Sequence, residues 1–274
     1  MKKNNNSAQK IKNTASKFAL NINKMPAPFK KLLRGVFAAL FWLAVWQLIA
    51  SAVGKELLIA SPKAVFARLG ALCVTGGYWS AVFSSLVRVF GGYLAGILFG
   101  LVLAALSAAS ALLESLVTPL ITAIKATPVA SFIIIALVWF ETPRIPTFTA
   151  ALMVTPVIYG SALTAIRSVD KNLLEMAQVF AFSRVKTIRR VILPSMTPYI
   201  RSAAVTSLGL SWKAGIAAEV LCTPKGSVGR YLYESKIYLE TPDLFAWTLT
   251  IIGASLLLEY IIRALLGGRG RGRK

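Results

Sequence analysis

The sequence predicts an all-α, polytopic membrane protein, and three observations predict it. Hydrophobic residues make up 56% of the 274-residue chain, the mean hydropathy is +0.67, and the apolar residues fall in runs of about twenty rather than in short alternating segments. One soluble core of this size does not hide so much apolar surface. Lipid accepts it, provided every backbone polar group is satisfied within helices or a closed barrel. Runs of this length select the helix.

Six spans follow in order. Residues 1–34 hold nine basic residues and no acid, with neither the short apolar region nor the small-residue cleavage site of a signal peptide, and read as a flexible basic arm. The first span covers about Gly35–Val53, with Trp42 and Trp46 inside it, and Gly54-Lys55-Glu56 closes it. Residues 57–77 carry a helix start at Ser61-Pro62 but are too broken to cross, so they are expected at the membrane surface. The second span covers about Ser80–Leu106, the third Leu116–Phe140 and the fourth Thr147–Ile166, after a turn at Glu141–Pro146. A polar stretch from Arg167 to Pro198 precedes the fifth span, Tyr199–Leu221, and the sixth, Leu244–Leu266. The organisation is a 1–34 arm, a 35–266 membrane domain interrupted by the 167–198 loop, and a 267–274 Gly/Arg tail.

A net charge of +21 invites a nucleic-acid reading,, but the charges sit at the ends of apolar runs, where topology signals sit. With both termini inside, the inner segments hold 21 lysines and arginines and the outer segments seven. That asymmetry makes both termini and the 167–198 loop cytoplasmic, and the basic tail is expected to meet anionic lipid headgroups. No nucleic-acid partner is expected. The chain has no histidine, the commonest general base and metal ligand. Cys73 and Cys222 read as small apolar fillers, so no catalytic or metal residue is assigned.

The loop reads as a helix from Lys171 to Ala181, a break at Phe182-Ser183, and a second helix from Val185 to Ile192. Pro194 is expected to end that helix and Pro198 to open the next span. Val179, Phe180, Phe182, Val185 and Ile188 form an apolar ridge beside basic residues, and Phe182 is the expected anchor. Such a segment either docks in a groove of another protein or lies on the bilayer surface.

The spacing of this stretch resembles the EAA loop of binding-protein-dependent ABC transporter permeases, E-A-A, three residues, G, nine residues, I, one residue, L-P. Glu175, Ala177, Leu193 and Pro194 match, and Met176, Ala181 and Val191 replace the second Ala, the Gly and the Ile. The flanks, Ile166–Asp170 with Leu174, together with Val138-Trp139-Phe140 and Trp212 with Ala217-Ala218-Glu219, are similar to permeases for nitrate, sulfonate, taurine and bicarbonate. The resemblance implies a type I (MetI-like) importer permease of six helices in the bacterial inner membrane, paired as a homodimer. It also implies a coupling helix inserted into a separate ATPase dimer, and an extracytoplasmic binding protein that delivers solute. ATP and Mg would then belong to the partner, since this chain has no G-x-x-x-x-G-K-[ST] loop.

Charges within the spans are functional hypotheses, because each costs ~2.5–3.5 kcal/mol at a helix centre even on the lower scales. Arg88 is shallow, and either snorkels, pairs with Glu219 or meets solute. Lys125, beside the backbone loosened by Pro128, either contacts an anionic solute or pairs with Glu219. Lys213 lines the pathway or pairs across a dimer, and Pro156, with Gly160 four residues on, kinks its helix or permits close packing. Lys125, Pro128, Pro156, Trp212, Lys213 and Glu219 are therefore the candidate pathway residues. The reading is the permease subunit of an ATP-driven importer for a small anion. The alternative is a stand-alone ion-coupled carrier or channel, with Lys125 and Glu219 as its relay.

Overall fold

The computed structural model describes residues 27–267, and the expectations for the rest of the arm and for the tail lie outside them. Every regular element among the described residues is helical. The chain divides into two units, one through Ala64 and one from Val65 onward.

In the first unit α1 runs Ala27–Val53, so the helix begins within the stretch read as the arm, several residues ahead of the span. Its 21-residue apolar stretch, Leu33–Val53, leaves most side chains facing outward. Gly54, at φ +64, ends it, in the left-handed region where glycine carries no Cβ penalty. The Trp46 indole donates to the Ala60 carbonyl at 3.1 Å. Ser61 Oγ accepts the Ala64 N–H at 3.3 Å, capping α2 (Pro62–Cys73) at the start signal read from Ser61-Pro62,.

The second unit is built on α3 (Gly76–Ala109) packed along α6 (Ile145–Arg167) and α9 (Leu193–Cys222). In lipid, burying apolar side chains against one another gains little over leaving them in hydrocarbon, so close backbone approach decides which helices associate. Gly92, Gly96 and Gly100, four residues apart, form one stripe along α3. A Cβ on Gly96 would lie 2.6 Å from Val154 Cβ and 2.7 Å from the Ala151 carbonyl oxygen, and one on Gly100 2.8 Å from Ile158 Cβ. A Cβ on Gly92 would strike the Thr147 carbonyl. Thr147 Oγ1 donates across this seam to the Arg88 carbonyl at 3.0 Å, and the Tyr93 hydroxyl donates to Ala204 of α9 at 3.0 Å. Gly215 of α9 meets Val89 in the same way.

The third span departs from a straight rod. It is α4 (Ala111–Ala126) and α5 (Val129–Trp139), bent by 108°. Thr127 sits at φ −82, ψ 131, because proline disfavours the helical region for the residue before it, and Pro128 has no N–H to continue the ladder. α5 covers one end of the core, where Ile133 and Ala136 pack with Ile145, Ala218 and Cys222. α4 covers the other, where Ile121 packs with Tyr159, Leu163 and Met196.

The loop after α6 departs from expectation too. α7 spans Lys171–Val179, but α8 (Arg184–Thr187) does not stop at Pro194. It passes through a π turn at Ile188–Ile192 directly into α9. The missing N–H of Pro194 falls in the first turn of α9, where no intrahelical donor is needed after the wider π loop. Pro198 lies within α9.

A short helix, α10 (Val228–Ile237), and α11 (Thr241–Gly267) complete the unit. α1, α3, α6 and α11 are long and apolar enough to cross a membrane, and the α4–α5 pair counts as a fifth, broken span. α9 has 30 residues, long enough to cross, but carries Arg201, Lys213 and Glu219. This is compatible with six spans. The ends of α2 and α5, the α9–α10 connection and the start of α11 gather at one end, and the start of α4 gathers with α7 at the other, where Arg167 pairs with Glu114.

Replacing Gly96 with Leu adds four carbons where a single Cβ already collides. A loss of ~3 kcal/mol is expected, read as a lower unfolding temperature and lower yield of the detergent-purified protein. The same change at Gly91, whose Cβ would meet nothing within 4 Å, should be silent. Equal stability of the two variants would refute the glycine seam.

Candidate functional site

One charged cluster, the bend at Pro128 and one loop hold most of the candidate residues. Glu219, fully buried near the end of α9, accepts from Ser85 Oγ at 2.7 Å and from the Gly229 N–H at 3.1 Å, both on Oε2. Ser85 Oγ in turn accepts the Val228 N–H at 3.0 Å. The first N–H groups of a helix have no intrahelical partner, and its N-terminus attracts negative charge. A carboxylate from α9 and a hydroxyl from α3 thus complete the start of α10, with Ser227 Oγ accepting from the Arg230 N–H at 3.1 Å as its own cap. Gly229 is required there, because a Cβ would sit 2.7 Å from the Val220 nitrogen.

Arg88 closes the cluster. Its Nη1 lies 3.6 Å from Glu219 Oε1, and its Nη2 donates to the Lys225 carbonyl at 3.2 Å. Neither Oε1 nor Nη1 has a hydrogen-bond partner in this arrangement, so the pair is held by charge rather than by a formed bond. Outside the spans, hydrogen bonding to Asp243 raises the pKa of Arg68 above its ordinary value.

Lys125 is elsewhere. It is exposed in the last turn of α4, where a cation meets the negative end of the helix. Its Nζ lies 3.8 Å from the point where a Cβ on Gly160 would stand. The Lys125–Glu219 pair considered from sequence is therefore not formed, since the Glu219 carboxylate is engaged by Ser85, Gly229 and Arg88. Lys213 is exposed on α9, and among the described residues neither lysine makes an ion pair. Pro128 is exposed at the bend and Pro156 is buried in α6. Trp212 is 2% exposed and its indole donates to the Ile251 carbonyl of α11 at 3.1 Å. Six candidates thus divide into a bend region with Lys125 and Pro128, an isolated Lys213, and interior positions.

The loop is ordered by its helix end. Asp170 caps α7 by accepting from the Asn172 N–H at 2.9 Å. At the other end Ala181 takes φ +48, its N–H donates to the Gln178 carbonyl at 2.9 Å, and the Phe182 N–H donates to Ala177 at 2.8 Å. This is a Schellman motif, and Ala181 fills the left-handed position usually given to glycine. The bend survives the loss of glycine, as an alanine under strain of roughly 1–2 kcal/mol.

Phe182, the expected anchor, turns inward. It packs with Val169, Leu174, Ala177 and Val191, and Lys186 Nζ stands 3.9 Å over its ring. The exposed apolar groups are Val179, Phe180, Val185 and Ile188, with Met176 beside them, and Phe180 is 68% exposed. Glu175, Leu193 and Pro194 also face outward. Sequence reasoning missed Ser85 and Gly229, which no local pattern marks. It also missed the Gly92-x-x-x-Gly96-x-x-x-Gly100 stripe, which was legible as a small-residue repeat.

Helices long and apolar enough to cross a membrane, one of them broken, with an apolar loop presented at one end, define a polytopic membrane protein. The chain belongs to the family of binding-protein-dependent transport system inner membrane components, which matches residues 96–267. It is the permease subunit of an ABC importer. It is 32% identical over 225 residues to the putative aliphatic sulfonates transport permease protein SsuC of Escherichia coli (strain K12), covering 79% of this chain and 84% of that one. It is 27% identical to the taurine transport system permease protein TauC of the same organism, covering 81% and 83%. Among solved structures, a chain of a bacterial ABC transporter that imports the acidic polysaccharide alginate shares the fold at TM-score 0.59 and 17% identity, over 90% of this chain and 100% of that one.

Removal of the Glu219 carboxylate strands the Gly229 N–H and the Arg88 guanidinium. Glu219→Ala should cost about 3–5 kcal/mol, measured by thermal unfolding in detergent. Glu219→Gln, which keeps an acceptor for Gly229, should cost less, and Arg88→Met should recover part of the loss in either background. An alanine variant as stable as the parent would remove the capping role.

Proposed function

We propose that this permease works as a pair and couples to a separate ATPase through the α7–α8 loop. On this reading it passes a small anion delivered by an extracytoplasmic binding protein. ATP and Mg reside on the ATPase partner. The single observation that carries the coupling is the loop itself, a short helix locked at both ends that exposes Phe180, Val179, Val185 and Ile188 at one end of the bundle. An exposed aliphatic and aromatic patch flanked by Lys186, Arg189 and Arg190 fits a protein groove with a polar rim. The charge asymmetry of the sequence supports placing this loop and both termini in the cytoplasm.

The anion is supported by two features. Relatives are named for sulfonates, taurine and bicarbonate, and Lys125 and Lys213 stand exposed without a carboxylate partner among the described residues. Lys125 has the better position, beside the Pro128 bend and facing Gly160, which has no side chain of its own to stand against the ammonium. The stand-alone carrier reading loses its relay, because Glu219 is committed to the α10 cap.

Phe180→Asp should leave folding intact and weaken co-purification with the ATPase by about 2 kcal/mol, roughly thirtyfold. Phe182→Asp should instead destabilise the loop. Normal ATPase retention by the Phe180 variant would overturn the docking role.

Lys125→Met should retain the parent's thermal stability and ATPase binding while uptake and solute-stimulated ATP hydrolysis in reconstituted vesicles collapse. Adding Glu219→Gln should rescue nothing. Full transport by the single variant would exclude Lys125 from the pathway.

A further inference from the structure

At the α10 end of the bundle two cavities share a wall. The first, about 380 Å³, lies among Arg68 of α2, Glu234 and Tyr238 of α10, and Glu240, Asp243 and Trp247 at the start of α11. Its lining carries three carboxylates and one guanidinium. Arg68 and Asp243 neutralise each other through two hydrogen bonds, and Glu234 takes Arg230 at 2.7 Å. Glu240 is exposed and makes no ion pair among the described residues, so the cavity keeps a net negative charge beside aromatic rings.

The second cavity, about 540 Å³, is a groove between α3 and α11. From Leu249 to Ile261 it follows α11 for on the order of 18 Å, with apolar walls throughout except Thr250. That hydroxyl is spent on Tyr78, at 2.9 Å. Tyr78 lines both cavities, and α2 presents Arg68 and Leu72 to the first and Leu69 and Cys73 to the second. The groove is open at Gly253, where a Cβ would meet nothing within 4 Å.

We infer that this two-part crevice holds one phospholipid with a primary ammonium headgroup. An apolar groove along membrane-spanning helices is filled by hydrocarbon, and its polar continuation sits where a headgroup must emerge. The carboxylate of Glu240 and the phenol of Tyr238 accept hydrogen bonds from an ammonium, aromatic faces favour the same charge, and the net negative lining repels an anionic headgroup. Arg68, whose side chain is 46% exposed, offers its outer face to the phosphate.

Native mass spectrometry of the purified full-length chain, titrated with phosphatidylethanolamine, phosphatidylglycerol or soluble phosphoethanolamine, tests this. Phosphatidylethanolamine should bind at least about fivefold more tightly than phosphatidylglycerol, and Glu240→Gln should erase that preference. Gly253→Leu should abolish retention of both lipids. Should it fail to fold, the exposed Glu240→Gln variant still decides the headgroup assignment. Equal retention of the two lipids by the parent, or retention unchanged in a folded Gly253→Leu, would overturn the site. Binding of phosphoethanolamine alone as tightly as the lipid would overturn it too, by making the cavity a solute site.

Discussion

The close contact of α3 with α6 is the constraint on which the second unit depends. Lipid removes the hydrophobic incentive for helices to find each other, so association rests on packing and on hydrogen bonds across the seam. Gly92, Gly96 and Gly100 let the α6 backbone approach until it touches the α3 backbone. Thr147 then reaches the Arg88 carbonyl, and the position of α6 fixes Arg88 and Ser85 above it. Glu219 on α9 finds its partners only because that seam has already placed them. The candidate sites are secondary to three missing side chains.

Prolines show what the sequence can and cannot reveal. Pro128, Pro156, Pro194 and Pro198 all lie in helical pattern, and by propensity each is a break. Only Pro128 breaks its span. Pro156 sits in a helix held on both sides by α3 and α9, and Pro194 and Pro198 follow a π turn that moves the hydrogen-bond register ahead of them. Local sequence states the cost of a proline, and packing decides whether the chain bends or absorbs it. The spans were legible to within a few residues at most of their ends, since twenty apolar residues in a row admit few readings. The 108° bend was not, because its angle is set by what α5 packs against.

The loop repeats the lesson at the level of side chains. Its helix, its break and its apolar content were all legible from residues 171–192, but not which aromatic faces inward. Phe180 and Phe182 differ by two positions and are chemically identical. The left-handed turn at Ala181 sends Phe182 back over Ala177 and leaves Phe180 outside. Among the ionisable groups, sequence could name Arg88, Lys125, Lys213 and Glu219 but not pair them. The N-terminus of α10, which claims Glu219, lies in a segment whose helix was not anticipated.

The continuous run from Arg184 through the π turn to Cys222 has a mechanical consequence. Its 39 residues make a strut roughly 58 Å long, anchored at one end beside the exposed loop and at the other by the carboxylate that seats α10. A hydrogen-bonded helix bends far more readily than it stretches, so these two ends behave as the handles of one lever. A displacement at the Arg184 end of this run would reach Glu219 as tilt or rotation rather than as slack taken up along the way. The π turn is the point of least axial stiffness, where one residue of surplus register is stored. The two ends of the bundle are therefore in mechanical contact through a single polypeptide rod, with its elbow built in near the loop.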